Sequence, residues 1–171
     1  MNRKKQNALT LPELLTALAV IAILLSTVPP SYSHLIESNR EQSVRNELLS
    51  HLHFAREQAI GTRRAHIICG SADGKTCTGD WHHSWLVLRS HDQYVLRQFS
   101  PGTQPDLCWR GFGGNQVLFR DNGMSSASNG RFSLCRKQEP IWQIVINRQG
   151  RIKMADVDRS VNCCATGHTG S

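Results

Sequence analysis

Residues 9–28 read LTLPELLTALAVIAILLSTV, twenty residues carrying a single formal charge, that of Glu13. A helix rises about 1.5 Å per residue, so a run of this length matches a hydrocarbon core of about 30 Å. Ahead of it stands MNRKKQ, with Arg3, Lys4 and Lys5. A positive flank of this kind keeps the N-terminus cytoplasmic and sends the rest of the chain outward. A secretory signal peptide has a shorter apolar region followed by a small-residue cleavage site. Here the apolar run is followed by Pro29-Pro30-Ser31-Tyr32, a poor match. A plain anchor explains the apolar run but not Glu13, because an ionised carboxylate in such a segment is costly and usually functional. The whole chain has 171 residues, enough for one ordinary domain, with 39% hydrophobic and 19% charged residues. That composition excludes a wholly disordered chain, a collagen-like repeat and a multi-span membrane protein.

The order of basic leader, small residue, short motif, glutamate and long apolar helix resembles the type III signal of type IV pilins and pseudopilins. The resemblance implies that a prepilin peptidase cuts between Ala8 and Leu9, which leaves Glu13 fifth in the mature chain. The family usually has Gly before the cut and Phe or Met after it; this chain has Ala8 and Leu9. It further implies that the new Leu9 amine is methylated and neutralises the Glu13 carboxylate of a neighbouring subunit. A buried pair is tolerated where a lone buried charge is not. Glu13 is then an assembly residue.

Pro29-Pro30 is expected to kink or interrupt the helix. Beyond it Val44, Leu48, Leu52, Ala55 and Ala59 fall on one helix face, with Arg40, Glu41, Arg45, Glu47, Arg56 and Glu57 opposite as a solvated face. Gly61 is the expected stop. From Arg63 the pattern changes to short β-like runs: Ala65 to Cys69, Ser84 to Arg89, Tyr94 to Phe99, Gln116 to Arg120, Arg131 to Cys135, Trp142 to Asn147 and Ile152 to Ala155. Turn-rich segments separate them, among them Asp121-Asn122-Gly123 and residues 125–130. Gly111-Phe112-Gly113-Gly114 lacks the Lys-Ser/Thr of a phosphate-binding loop and reads as a plain loop.

The globular part resembles the GspH/FimT group of minor pilins. The residues that carry this are Cys69-Gly70-Ser71, Asp73-Gly74, Cys77, Trp81 and Trp85-Leu86-Val87-Leu88. Further on they are Val117-Leu118-Phe119-Arg120, Gly130 to Cys135, Ile144-Val145-Ile146 and Gly150-Arg151-Ile152-Lys153. The fold implied is α+β and pilin-like: a long N-terminal hydrophobic helix packed on a two-sheet antiparallel β domain. The organisation expected is a leader (1–8), a transmembrane and assembly helix (9–30), its amphipathic continuation (31–62) and a periplasmic β domain (63–171). Export makes disulfides the default for the six cysteines. The resemblance implies Cys69 with Cys77, Cys135 with Cys163 or Cys164, and Cys108 with the remaining member of that vicinal pair.

Other chemistry finds little support. His82-His83 near Cys77, and His51 with His53, lack the paired spacing of a zinc site. Asp156 and Asp158 lack the ligand series of a calcium loop. No GxSxG, GxxxxGK[ST] or strand-linked GxGxxG occurs. Neither a cofactor nor an enzymatic activity is expected.

The charge distribution says more than the total of +7. Residues 1–8 hold three cations, and residues 9–130 balance ten Lys/Arg against ten Asp/Glu. Residues 131–171 hold seven cations against three acids, centred on Arg148-Gln149-Gly150-Arg151-Ile152-Lys153. A turn there projects several cations, and its backbone N–H groups, Gln149 and Asn147 add donors for phosphates. In FimT-type minor pilins a Gly-Arg-x-Arg stretch is associated with DNA binding during natural transformation; here Lys153 keeps the charge but not the planar fork of the last Arg. The expectation is therefore an inner-membrane, single-pass minor pilin with its C-terminal domain in the periplasm or at the pilus surface. Its partners are other major and minor pilins or pseudopilins, prepilin peptidase and double-stranded DNA. The DNA contacts expected are Arg148, Arg151 and Lys153, supported by Arg131, Arg136 and Lys137. The alternatives are a structural minor pilin without DNA binding, and the minor pseudopilin H of a type II secretion system.

Overall fold

The computed structural model describes residues 10–27, 29–102, 104–160 and 163–164, so Ala8 and Leu9 lie outside the described residues. The chain divides into two units, residues 1–40 and 41–171.

In the first unit, helix α1 covers Leu11–Thr27 and a second helix, α2, begins at Pro29. The apolar side chains of α1, Leu14, Leu18 and Ile21 among them, are exposed. The α1 helix holds 17 residues, and among the described residues no helix is long and apolar enough to cross a membrane. Helix α1 thus covers 17 of the twenty residues of the apolar run, and residues 9 and 28 lie outside the described residues.

The second unit starts within α2, which runs Pro29–Thr62. Its stripe Val44, Leu48, Leu52, Ala55 and Ala59 is buried, Leu48 and Leu52 completely. Truncating either leucine to Ala would cost about 2–5 kcal/mol. Gly61 does not end the helix. The N–H groups of Arg64 and Arg63 bond the carbonyls of Ala59 and Ile60, with Arg63 in the left-handed region (φ 51°). This is a Schellman termination in which an arginine occupies the usual glycine position. Two charges of the expected solvated face are also engaged: Glu41 pairs with Arg136, and Arg56 donates to the Gly123 carbonyl (3.2 Å).

Among the described residues eight strands follow: β1 (His66–Ser71), β2 (Ser84–Arg89), β3 (Val95–Phe99), β4 (Asp106–Gly111), β5 (Gln116–Phe119), β6 (Gly130–Arg136), β7 (Glu139–Ile146) and β8 (Ile152–Ala155). They form two four-stranded antiparallel sheets, ordered β3-β2-β1-β5 and β4-β6-β7-β8. Sheet one contributes Ile68, Trp85, Val87, Val117 and Phe119 to the core. Sheet two contributes Leu107, Trp109, Phe132, Leu134, Ile144 and Ile146. Both sets meet the α2 stripe in one cluster. A smaller cluster, Ile67, Cys69, Leu86 and Leu88, lies apart from it. Strand β4 was not expected from the sequence. It is short and bounded by Pro105 and by glycines, yet Leu107 and Trp109 alternate inward with Cys108 and Arg110 outward.

Candidate functional site

The turn between β7 and β8 is built by Asn147 and Gly150. The Gly150 N–H donates to the Asn147 carbonyl (2.9 Å), and the Arg151 N–H to Asn147 Oδ1 (2.9 Å). Those two N–H groups are therefore used inside the turn. Gly150 is buried and sits at φ 73° against Gly123. A Cβ there would lie 1.9 Å from the Gly123 carbonyl oxygen, so glycine is required by both conformation and space. The Ser125 N–H fastens the turn from the other side by donating to the Arg148 carbonyl (3.1 Å).

Strand alternation explains the Gly-Arg-x-Lys spacing. Ile152 points into the core, which leaves Arg151 and Lys153 exposed on either side of it. Arg148 is exposed as well. Among the described residues, no carboxylate pairs with the side chains of these three cations.

Register extends the cationic surface across the sheet. Arg110 lies opposite Arg131, Arg131 opposite Val145, and Val145 opposite Lys153. Directly opposed residues share a face, so this row stands on the outer side of all four strands. Arg110, on the strand not expected from the sequence, extends this surface and was not among the expected residues. Its alternation with Leu107 and Trp109 was the available signal. Arg131 is held in place by a bond from its Nη1 to Gln143 Oε1 (2.6 Å).

The structure does not bring Arg136 and Lys137 to this place. Lys137 and Gln138, at φ 51° and 67°, form the two-residue turn between β6 and β7. Eight-residue β7 separates that turn from the Asn147 turn by about 23 Å. Arg136 is paired with Glu41, its Nε donating to Oε1 at 2.8 Å and its Nη2 to Oε2. Residues adjacent to the cationic run in sequence thus belong to the opposite pole of the sheet.

Between the two poles the C-terminal segment crosses the same outer face. The Asp158 N–H donates to Gln143 Oε1 (2.8 Å), and Gln143 Nε2 donates to the Asp158 carbonyl (3.1 Å). Bridges Cys108–Cys163 and Cys135–Cys164 pin the segment to β4 and β6, and a third joins Cys69 to Cys77. Of the two partners left open for Cys135, the structure pairs it with Cys164. Within the Cys69–Cys77 loop, bonds from the Thr76 and Lys75 N–H groups hold the exposed Asp73 carboxyl well below the usual carboxylate range.

Residues 45–150 match the family described as "Type II transport protein GspH", and residues 3–28 match the "Prokaryotic N-terminal methylation motif". The chain belongs to the GspH family. Among solved structures it is similar to the type IV minor pilin FimU of Pseudomonas aeruginosa strain PAO1. In one crystal form the identity is 22% and the TM-score 0.56, covering 71% of this chain and 92% of that one. In another the identity is 24% and the TM-score 0.54, covering 67% and 92%. The minor pseudopilin EpsH of the Vibrio cholerae type 2 secretion system aligns at 14% identity and TM-score 0.45, over 70% and 94%. A comparison with curated proteins found no match. The FimU likeness shows a shared fold, an N-terminal helix with an antiparallel two-sheet β domain.

Proposed function

We propose that this GspH-family protein is a minor pilin that binds DNA, without regard to sequence, through the β7–β8 turn. In this reading prepilin peptidase cuts after Ala8, residues 9–30 anchor the chain in the inner membrane, and Glu13 directs incorporation into a type IV pilus. The β domain then faces the periplasm or the pilus surface. The observation that carries the DNA reading is the convergence of Arg148, Arg151 and Lys153, exposed and without carboxylate partners among the described residues, on a turn fixed by Gly150. Each phosphate contact on a duplex contributes about 0.9 to the slope of log K against log salt, so these three contribute about 2.7. Between about 50 mM and about 200 mM salt, that is about a 40-fold loss of affinity.

The test is a titration of duplex DNA at several salt concentrations with the oxidised full chain in neutral detergent. A variant with Arg148→Ala, Arg151→Ala and Lys153→Ala runs alongside. Weaker binding with a shallower salt slope in the variant supports the reading. Binding unchanged in the folded variant refutes the site, and absence of binding at low salt refutes the function. The family's own description as a type II transport protein favours a second reading, a pseudopilin of a secretion system without DNA binding. Loss of secretion rather than of pili on deletion would select it.

A further inference from the structure

Next to the turn the outer face of the second sheet sinks into an open groove of about 650 Å³. Arg110, Arg131 and Arg148 line it, and so does Phe112, a residue that is 65% exposed. An exposed aromatic at the mouth of an arginine-lined groove, with half-buried Val145 as its other apolar lining residue besides Ile146, gives a flat apolar face among cations.

The backbone holds that ring in position. Gly111 lies opposite Gly130 at the end of the β4–β6 ladder, and a Cβ on either would meet the Trp109 ring, at 2.4 and 2.8 Å. The Trp109 ring therefore underlies both glycines, and its Nε1 donates to the Gly114 carbonyl (3.1 Å). The Phe112 N–H continues the ladder by donating to the Asn129 carbonyl (3.0 Å). Alternation places Phe112 on the same outer side as Arg110, and Asn147 stands opposite Arg151 in the next row. The result is a grid of cations with one flat apolar ring among them. Neighbouring strands lie about 4.8 Å apart, so Arg131 and Lys153, two strands apart, stand about 10 Å from each other at their Cα atoms.

A paired duplex offers this grid only phosphates and leaves the ring unused. An unpaired strand offers both phosphates and a free base face, and base–aromatic stacking beside a cationic track is how single strands are held. We infer that the groove binds an unpaired stretch of nucleic acid, with one base stacked on Phe112 and its flanking phosphates on Arg110, Arg131 and Arg148. This rests on the DNA-binding reading of the adjacent turn and adds a strand preference that the turn alone does not supply.

The experiment is fluorescence anisotropy with the oxidised full chain in neutral detergent at fixed salt. The probes are an oligothymidine, a blunt duplex of the same length, and the same duplex with a single-stranded overhang. Phe112→Leu keeps an apolar side chain without the ring, and Phe112→Trp keeps a ring; both replace an exposed residue and leave the core untouched. The expected result is tighter binding of the single strand and of the overhang than of the blunt duplex. Phe112→Leu should weaken the single strand about tenfold and leave the blunt duplex unchanged, and Phe112→Trp should restore it. No preference for the unpaired strand, or a Phe112→Leu variant that binds it as tightly as the parent, overturns the groove inference while the turn reading stands. Failure of every probe to bind at low salt overturns both.

Discussion

Replacing Gly150 by Ala tests whether the cationic turn owes its shape to that residue. An alanine held at the observed φ of 73° carries about 1–2 kcal/mol of strain that glycine does not. The added Cβ also meets the Gly123 carbonyl oxygen at 1.9 Å and the Gly123 carbonyl carbon at 3.1 Å, so backbone must move. Any such movement pulls on two anchors, the bond from the Ser125 N–H to the Arg148 carbonyl and the bond from Arg56 to the Gly123 carbonyl. Losing the first, at a buried serine, costs about 1 kcal/mol. Together these give a loss of about 3 kcal/mol. A unit of this size shifts its midpoint by about 3–5 °C per kcal/mol, so thermal unfolding followed by circular dichroism should fall by about 10 °C. Gly61→Ala is the control: it has no atom within 4 Å of the added Cβ and lies in a helix, where the change is neutral or stabilising by up to about 1 kcal/mol. A Gly150→Ala protein that melts with the parent would refute the reasoning, because neither the strain nor the collision could then be present.

Three further outcomes follow from the same structure. His51 is buried and its Nδ1 accepts a bond from Trp85 Nε1 (2.9 Å), and burial pushes its pKa below 6.5, with Glu47 opposing and Arg97 adding to the shift. The unfolded chain then binds the proton first, so stability is full above about pH 6.5 and falls as the pH drops toward the lowered folded value; urea midpoints should fall on acidification, and less so in His51→Gln. Opening Cys135–Cys164, which closes 29 residues, should cost about 3.6 kcal/mol against about 2.5 for Cys69–Cys77, which closes 8, as read by urea unfolding of the two Cys→Ala pairs. Arg136→Ala with Lys137→Ala should cost about 1 kcal/mol through the Glu41 pair and leave DNA affinity within about twofold, since that pole is remote from the turn.

Much of the fold could be read from periodicity, which is a local property. The α2 stripe announces itself at helical spacing, and seven of the eight described strands show as short β-like runs, β1 and β2 as almost continuously buried ones. Strand β4 escaped because Pro105 and the Gly111 loop leave it only Leu107 and Trp109 as inward signals. What depends on non-local register was not legible. That Arg110 stands opposite Arg131, or that Arg136 meets Glu41 across 95 positions of sequence, follows from pairing of distant segments. Gly61 misled for a related reason. Composition favours glycine at a helix end, but the helix runs one residue past Gly61 to Thr62, and Arg63 takes the left-handed position instead.

The excess positive charge of residues 131–171 illustrates why a sequence count and a surface differ. Within the second unit, Glu41 and Arg56 are fifteen residues apart on α2, about 22 Å at helical rise. The β6–β7 turn and the Asn147 turn are about 23 Å apart along β7. Glu41 meets Arg136 beside the first turn and Arg56 reaches Gly123 beside the second, so helix and strand run alongside each other with matched ends. At one pole a cation is neutralised by the first residue of the unit; at the other, Arg148, Arg151 and Lys153 are left to solvent. The Asn147 turn and the groove beside it belong to this second pole, about 23 Å along β7 from Lys137.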